Sequence, residues 1–139
     1  MKQKFLILIL IISLLIISCQ KKKLKFGLEL DNPSDIKYLD CECARREEKN
    51  LDEDFKKKVY ELINKLNEKD FEEVEYEPLV GSGPIIHSKS FTFEITGEYI
   101  LIVKNKDIKR QFKAKNQNLV LEELYDLLSD KLNMINDFW

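Results

Sequence analysis

The sequence predicts an α+β fold in which one antiparallel sheet of about four to five strands carries two helices on one face. Two apolar stripes at helical spacing predict the helices, and three short segments between them, two alternating and one continuously apolar, predict a three-strand meander. The chain has 139 residues, which is the size of one domain. Apolar residues make up 44% and charged residues 35%, a balance that permits a packed core and argues against a wholly disordered chain.

Residues 1–19 follow the pattern of a secretory signal peptide. Lys2 and Lys4 precede an apolar run at 5–17 that contains a single serine, and a small residue follows at position 18. A charged start, an apolar stretch and a small residue before the cut are typical of exported proteins. As a helix, residues 5–19 would span about 22 Å, less than the roughly 30 Å hydrocarbon core of a bilayer. We therefore expect residues 1–18 to be a cleaved leader and not a permanent span.

The residues at the predicted cut, Ile16-Ile17-Ser18-Cys19, resemble the lipobox of bacterial lipoproteins. Ile16 stands where that family usually has leucine, and Ile17 is bulkier than its common counterparts. The resemblance implies that Cys19 receives a diacylglycerol thioether and becomes an acylated N-terminus, with palmitate as a typical chain. The alternative is an ordinary cysteine near the end of a signal peptide.

The lipoprotein resemblance implies an extracytoplasmic location on the cell membrane or on an outer membrane. Gln20 in place of aspartate favours an outer membrane if the cell has one, by similarity to enterobacterial sorting. Residues 19–23 then form a lipidated tether, with membrane lipid as the partner of acylated Cys19, and residues 24–139 form one domain. The lysines of the tether would lie at lipid headgroups, where each can add about 1 kcal/mol on anionic lipid.

The predicted domain begins with a strand and a turn. Apolar side chains alternate with others over residues 24–30, which predicts the strand, and Asn32-Pro33-Ser34 has turn chemistry. Residues 36–43 fit either a strand or a helix. If they form a strand, Leu39, Cys41 and Cys43 share one side.

Residues 50–68 predict the first helix. Asn50 with Glu53 matches a capping box, and the acidic residues that follow suit the positive end of the helix dipole. Apolar residues recur every three to four positions and predict one buried face. They are Leu51, Phe55, Val59, Leu62, Ile63 and Leu66.

The second half of the domain predicts a loop, a meander and a helix. Glycine and proline at 78–84 indicate the loop. Residues 91–95 and 108–114 alternate as strands, whereas 99–103 is a continuous apolar run typical of a central strand. A second apolar stripe over 121–132 predicts the last helix.

Cys41-Glu42-Cys43 is the most suggestive pair of side chains for chemistry. In a strand the two thiols share a face, so they could meet one metal ion, with His87 as the single histidine available for a third ligand. A disulfide between them would close a strained small ring, although an oxidising compartment permits one within or between molecules. The third interpretation, two small buried hydrophobic residues, is the one we favour.

His87 and Ser88 are adjacent, and a serine that is hydrogen-bonded to a histidine can act as a catalytic nucleophile. Neighbours in a strand point to opposite faces, so we expect His87 to be a surface or edge-strand residue that Ser88 does not contact. Gly81-Ser82-Gly83 matches neither a phosphate loop nor a nucleophile elbow, and it predicts a flexible turn.

Two charged runs and an aromatic end remain. The acidic run predicts a solvated linker between helix and sheet and lacks the spacing of a calcium loop. The basic run predicts a solvent-facing stripe, with Lys109, Gln111 and Lys113 exposed on one face. Phe138-Trp139 predicts closure of the core after the last helix, with an interfacial anchor or a partner contact as alternatives. The acidic run comprises Asp70, Glu72, Glu73, Glu75 and Glu77, and the basic run comprises Lys104, Lys106, Lys109, Arg110, Lys113 and Lys115.

These features predict a membrane-anchored lipoprotein whose domain is a non-catalytic binding or interaction module of the cell envelope. Its partner would be an envelope protein or glycan, and we expect no cofactor, no metal and no nucleic acid, since the net charge is only −2. The alternatives are a small lipoprotein inhibitor or exclusion (immunity) factor, an envelope hydrolase that uses His87 or the acidic run, and a purely structural envelope component. Cys19, as the lipid attachment point, is the one site residue that the sequence assigns.

Overall fold

The computed structural model describes Gln3, Ile7 and residues 26–28, 30–41, 46–78 and 83–133. Between residues 30 and 133, the described part of the chain contains one antiparallel sheet of seven strands and two α-helices, so the α+β class is confirmed and the expected count of four to five strands is wrong. No helix in the described part of the chain is long and apolar enough to cross a membrane. The strands are β1 (Ile36–Cys41), β2 (Arg46–Glu48), β3 (Phe71–Val74), β4 (Ile85–Ser88), β5 (Thr92–Ile95), β6 (Ile100–Lys104) and β7 (Lys109–Ala114).

The sheet has the order β2-β1-β4-β5-β6-β7-β3. The meander β5-β6-β7 follows the sequence prediction, and β1 resolves the ambiguity in favour of a strand for residues 36–41, the described part of 36–43. The sequence analysis missed β2, β3 and β4. These three strands have only three or four residues each, and two of them are rich in charge, so the alternation that identifies a strand is too short to recognise.

The strand expected at 24–30 is wrong for the part that is described. Phe26 and Gly27 form a turn with φ of 53° and 75°, and Leu28 is a single bridge residue. The Phe26 ring is 2% exposed and packs edge-to-face on Phe71 and Phe112, with ring centroids 5.3 and 5.0 Å apart. The apolar alternation therefore marks residues that pack into the core without joining the sheet as a full strand.

Helix α1 (Glu53–Lys65) confirms the first predicted helix over a shorter range. Its N-cap is Asp52, whose Oδ1 accepts the backbone N–H of Phe55 at 2.8 Å, so the predicted capping box on Asn50 is wrong. The Asn50 amide instead donates to Glu48 at 2.8 Å. This cap lowers the pKa of Asp52, chiefly through the hydrogen bond from the Phe55 amide.

Helix α2 (Leu119–Lys131) confirms the second predicted helix. Asn118 caps its first turn by accepting the backbone N–H of Leu121 at 3.0 Å. Leu121, Leu124 and Leu128 are fully buried, whereas Leu119 at the first position is 71% exposed. Both helices thus bury one apolar stripe against the sheet and present a polar face to solvent.

The hydrophobic core lies between the helices and one face of the sheet. Strand residues that alternate towards the helices are almost wholly buried, and they meet the buried stripes of α1 and α2. From the strands the core includes Ile36, Leu39, Cys41, Phe71, Ile86, Phe93, Ile95, Leu101, Val103 and Phe112. We call the opposite side of the sheet the second face; it carries Tyr38, Asp40, Ile85, His87, Thr92, Glu94, Ile102, Lys104, Lys109, Gln111 and Lys113.

Strands β3 and β4 lie four positions apart in the sheet, and the described start of the connection between them, residues 75–78, runs over the second face. The backbone N–H of Glu77 donates to Oε1 of Gln111 at 3.2 Å, and the Tyr76 ring lies 5.5 Å from Nζ of Lys109. Gln111 is therefore 5% exposed, so the expectation that it faces solvent beside Lys109 and Lys113 is wrong. Burial of the amide is compensated by its hydrogen bond to the crossing segment.

Candidate functional site

The second face brings His87 together with two residues of β1. The strand register sets Tyr38 opposite His87, and their rings stack with centroids 4.1 Å apart and planes 8° from parallel. Nε2 of His87 lies 2.5 Å from Oδ2 of Asp40, without meeting hydrogen-bond geometry. The side chains of His87 and Asp40 are 22% and 23% exposed, so the pair is partly shielded from water. This arrangement holds one flat imidazole between an aromatic ring and a carboxylate.

His87 does not lie at an edge of the sheet, as one of the sequence interpretations had it. Strand β4 pairs with β1 on one side and β5 on the other, which places His87 in the interior of the sheet. Ser88 points to the opposite face, where its hydroxyl donates to the Phe91 carbonyl at 3.1 Å. The sequence expectation that Ser88 does not contact His87 is confirmed, and a serine–histidine nucleophile cannot form from these neighbours.

A buried carboxylate lies one strand further along the second face. Glu94 is 5% exposed, and its Oε2 is 3.7 Å from Nζ of Lys104 on β6. Thr92 precedes it on the same strand and pairs with both His87 and Lys104. One row across the sheet therefore presents two rings, a hydroxyl and a cation in the order Tyr38, His87, Thr92, Lys104. We call this row the polar row.

The acidic run is divided by the fold and is not a simple linker. Glu72 and Glu73 belong to the edge strand β3, which pairs with β7. Nε and Nη2 of Arg110 donate to the two carboxylate oxygens of Glu73 at 2.8 Å each, a bidentate pair. These hydrogen bonds lower the pKa of Glu73 and raise that of Arg110. The prediction of a solvated linker is therefore wrong for Phe71–Val74, where the charges protect a sheet edge.

Cys41 lies on the helix-facing side of β1 and is 1% exposed, so it packs as a small hydrophobic residue in the core. Within the described residues, no group of three or more histidine, cysteine or acidic side chains could hold a metal ion. Cys43, its predicted companion, lies outside the described residues.

Gly83 is buried and is not part of a flexible turn. A Cβ at this position would stand 1.8 Å from the carbonyl oxygen of Ile95, because β5 passes directly beside it. The Ile95 amide donates to the Pro84 carbonyl at 3.1 Å, which holds the two segments together. Gly81 and Ser82, the other members of that motif, lie outside the described residues.

Two shallow depressions of about 170 and 250 Å³ flank the turn between β7 and α2, away from His87. They share the residues 116–118 on their walls. Tyr99 and Lys113 line the first depression, and Lys69 and Lys115 line the second. Both walls are open and mixed in charge, so neither is an enclosed site for a small molecule.

Sequence reasoning identified His87 but missed Tyr38 and Asp40. Tyr38 and Asp40 alternate with Leu39 and Cys41. Once residues 36–41 are known to be a strand, this alternation places the first two side chains on one face of the sheet and the other two on the opposite face. Nothing local indicates that β1 pairs with β4, because the paired residues are 45 to 52 positions apart. Only the long-range pairing of β1 with β4 brings Tyr38 and Asp40 to His87.

The remaining predicted sites lie outside the described residues. They include the lipobox with Cys19, and also Phe138 and Trp139. The chain matches no protein-family model, no curated protein and no solved structure at a significant level. Its function therefore has to follow from the residues themselves.

Proposed function

We propose that the chain is a membrane-anchored bacterial lipoprotein whose domain is a non-catalytic binding module of the cell envelope. The observation that carries this proposal is the short distance in sequence between the lipobox-like Ile16-Ile17-Ser18-Cys19 and a core residue. Phe26 is 2% exposed and follows Cys19 by only seven residues. The folded body thus begins almost directly after the predicted attachment point.

Seven residues set an upper limit on the distance between anchor and domain. A fully extended chain spans at most about 3.6 Å per residue, so Phe26 lies within roughly 25 Å of the acylated cysteine. One acyl chain gives marginal membrane binding and two or more give stable anchoring. A diacylglycerol group with an additional N-acyl chain therefore keeps the domain at the bilayer surface and restricts its partners to those within that reach.

The polar row of the second face supports a binding role. Tyr38 and His87 form a flat stacked surface, and Thr92 and Lys104 add a hydroxyl and a cation next to it. Aromatic residues with a polar edge are enriched at recognition surfaces because they combine apolar contact area with hydrogen bonding. This combination suits a polar partner such as an envelope glycan or protein.

Lipid attachment is tested in native cells by feeding labelled palmitate and measuring the intact mass of the protein. We expect the label on the wild type, the loss of residues 1–18, and no label on Cys19→Ser. Cys43→Ser is the matched control, since it removes a cysteine outside the lipobox and should keep the label. An unmodified Cys19 thiol, or a leader that is still attached, would refute the anchor.

The binding role is tested by co-sedimentation of the lipidated chain, held in detergent so that the acyl chains do not contribute, with isolated cell-wall glycan. We expect retention that weakens several-fold in His87→Gln and Lys104→Ala, whereas the exposed helix variant Lys58→Ala leaves it unchanged. Retention that is equal in all variants excludes the polar row as the binding surface. Release of soluble products from the glycan that stops in His87→Gln would replace the binding module with the hydrolase alternative.

A further inference from the structure

The predicted tether joins the domain at one particular end. The Phe26 ring packs on Phe71, the first residue of β3, and its backbone N–H donates to the carboxylate of Glu68. Phe71 pairs with Ala114, the last residue of β7. We call this end of the sheet the anchor end; it also carries the β5-β6 turn and the first turn of α2.

The anchor end displays two large apolar side chains to solvent. Tyr99 in the β5-β6 turn is 36% exposed, and Leu119 at the start of α2 is 71% exposed. The depression that Tyr99 lines is also lined by Leu121 and Glu122 in the first turn of α2, the turn that begins with Leu119, so the two exposed residues lie on neighbouring elements of this end. Tyrosine is enriched where a protein meets the membrane interface, because its ring is apolar and its hydroxyl stays in water.

Exposed lysines lie in the depression next to the one that Tyr99 lines. Lys69 and Lys115 line the neighbouring depression, and Nζ of Lys115 donates to the Lys69 carbonyl at 3.0 Å. Acidic residues line the same two depressions, namely Asp70, Glu98 and Glu122, so the described surface is not basic by itself. The tether adds Lys21, Lys22, Lys23 and Lys25, which makes the end as a whole attractive to anionic headgroups.

The opposite end of the domain is less suited to contact with the bilayer. Its β6-β7 turn exposes Ile108 (53%) together with Lys106 and Lys109. The six residues of β7 separate this turn from the anchor end by roughly 17–20 Å. The tether reaches at most about 25 Å, so it would have to run almost fully extended along the domain to bring Ile108 to the bilayer.

We propose that the anchor end is a membrane-docking surface, with Tyr99 and Leu119 in the lipid interface and Lys69 and Lys115 at the headgroups. This inference rests on the lipid anchor of the proposed function and adds an orientation to it. The domain then stands with its strands rising from the bilayer, and the β6-β7 turn is the part furthest from the lipid. The polar row remains accessible from the side.

The test uses the full lipidated chain in vesicles of phosphatidylethanolamine and phosphatidylglycerol, modified with a water-soluble amine reagent and mapped by mass spectrometry. We expect Lys69 and Lys115 to react several-fold more slowly in vesicles than in detergent. Lys106 and Lys109 should react equally in both and serve as internal controls. Leu119→Asp combined with Tyr99→Asp should abolish the protection, whereas Ile108→Asp, the matched variant at the other end, should leave it intact.

The outcomes separate the docking surface from the anchor. A chain that floats with the vesicles but shows equal rates at all four lysines overturns the docking surface and keeps the lipid anchor. Protection of Lys106 and Lys109 in place of Lys69 and Lys115 also overturns it, because the opposite end then faces the bilayer. A chain that fails to float refutes the anchor and the docking surface together.

Discussion

Gly83→Ala is expected to destabilise the domain by about 2–4 kcal/mol. The added Cβ would stand 1.8 Å from the Ile95 carbonyl oxygen, so one of the two backbone segments must move by roughly 1 Å. Overpacking of this kind costs about 1–3 kcal/mol. The movement also breaks the hydrogen bond from Ile95 to Pro84, worth about 0.5–1.5 kcal/mol.

Urea unfolding of the purified protein, followed by circular dichroism, measures this cost. With an m-value of about 2 kcal/mol/M, the midpoint of Gly83→Ala should fall by roughly 1–2 M. Gly97→Ala is the matched control, because its Cβ would meet only the Tyr125 hydroxyl at 3.9 Å. We expect the control to stay within about 0.5 kcal/mol of the wild type. Equal midpoints for Gly83→Ala and the wild type would refute the close approach of Gly83 to Ile95 of β5.

Three further predictions concern the helices and the sheet edge. Asn118→Ala should cost about 1 kcal/mol through loss of the α2 cap, and Leu128→Ala, at a fully buried position, about 2–5 kcal/mol. Leu119→Ala, on the same helix but exposed, should change stability by less than about 0.5 kcal/mol, and a larger change would contradict its exposure. Glu73→Gln should cost up to about 1 kcal/mol at neutral pH by removing the ion pair with Arg110. Because folding lowers the pKa of Glu73 from its ordinary 4.5, this cost is present above that pH and disappears as the pH falls through the lowered value; a difference that persists in acid would refute the assignment.

The parts of the fold that depend on nearby residues could be predicted from the sequence. The stripes of α1 and α2 repeat every three to four residues, and the meander strands are joined by short turns, so each carries its own signal. The first residue of a helix is harder to predict than the helix itself. Asp52 lies two residues beyond Asn50 and has the same capping chemistry, and only the contact with Phe55 distinguishes them.

The parts that depend on distant pairing could not be predicted. Strand β3 carries two adjacent glutamates, Glu72 and Glu73, and joins the sheet only through its pairing with β7. Gln111 alternates with lysines and is buried only because the connection from β3 to β4 passes over it. The contact between Asp40 and His87 follows from the pairing of β1 with β4, which no local pattern reveals. In each case the deciding partner lies tens of residues away.

The strand order has a consequence for how the chain acquires its structure as it emerges N-terminus first. Strand β1 must wait for β4, and β3 must wait for β7, which ends at Ala114. Such non-local pairing slows folding, because the entropy of closing a long loop is lost before the stabilising contacts between the strands form. The N-terminal strands therefore cannot complete their pairing until β7 has appeared, and α2 must still follow before the core is covered.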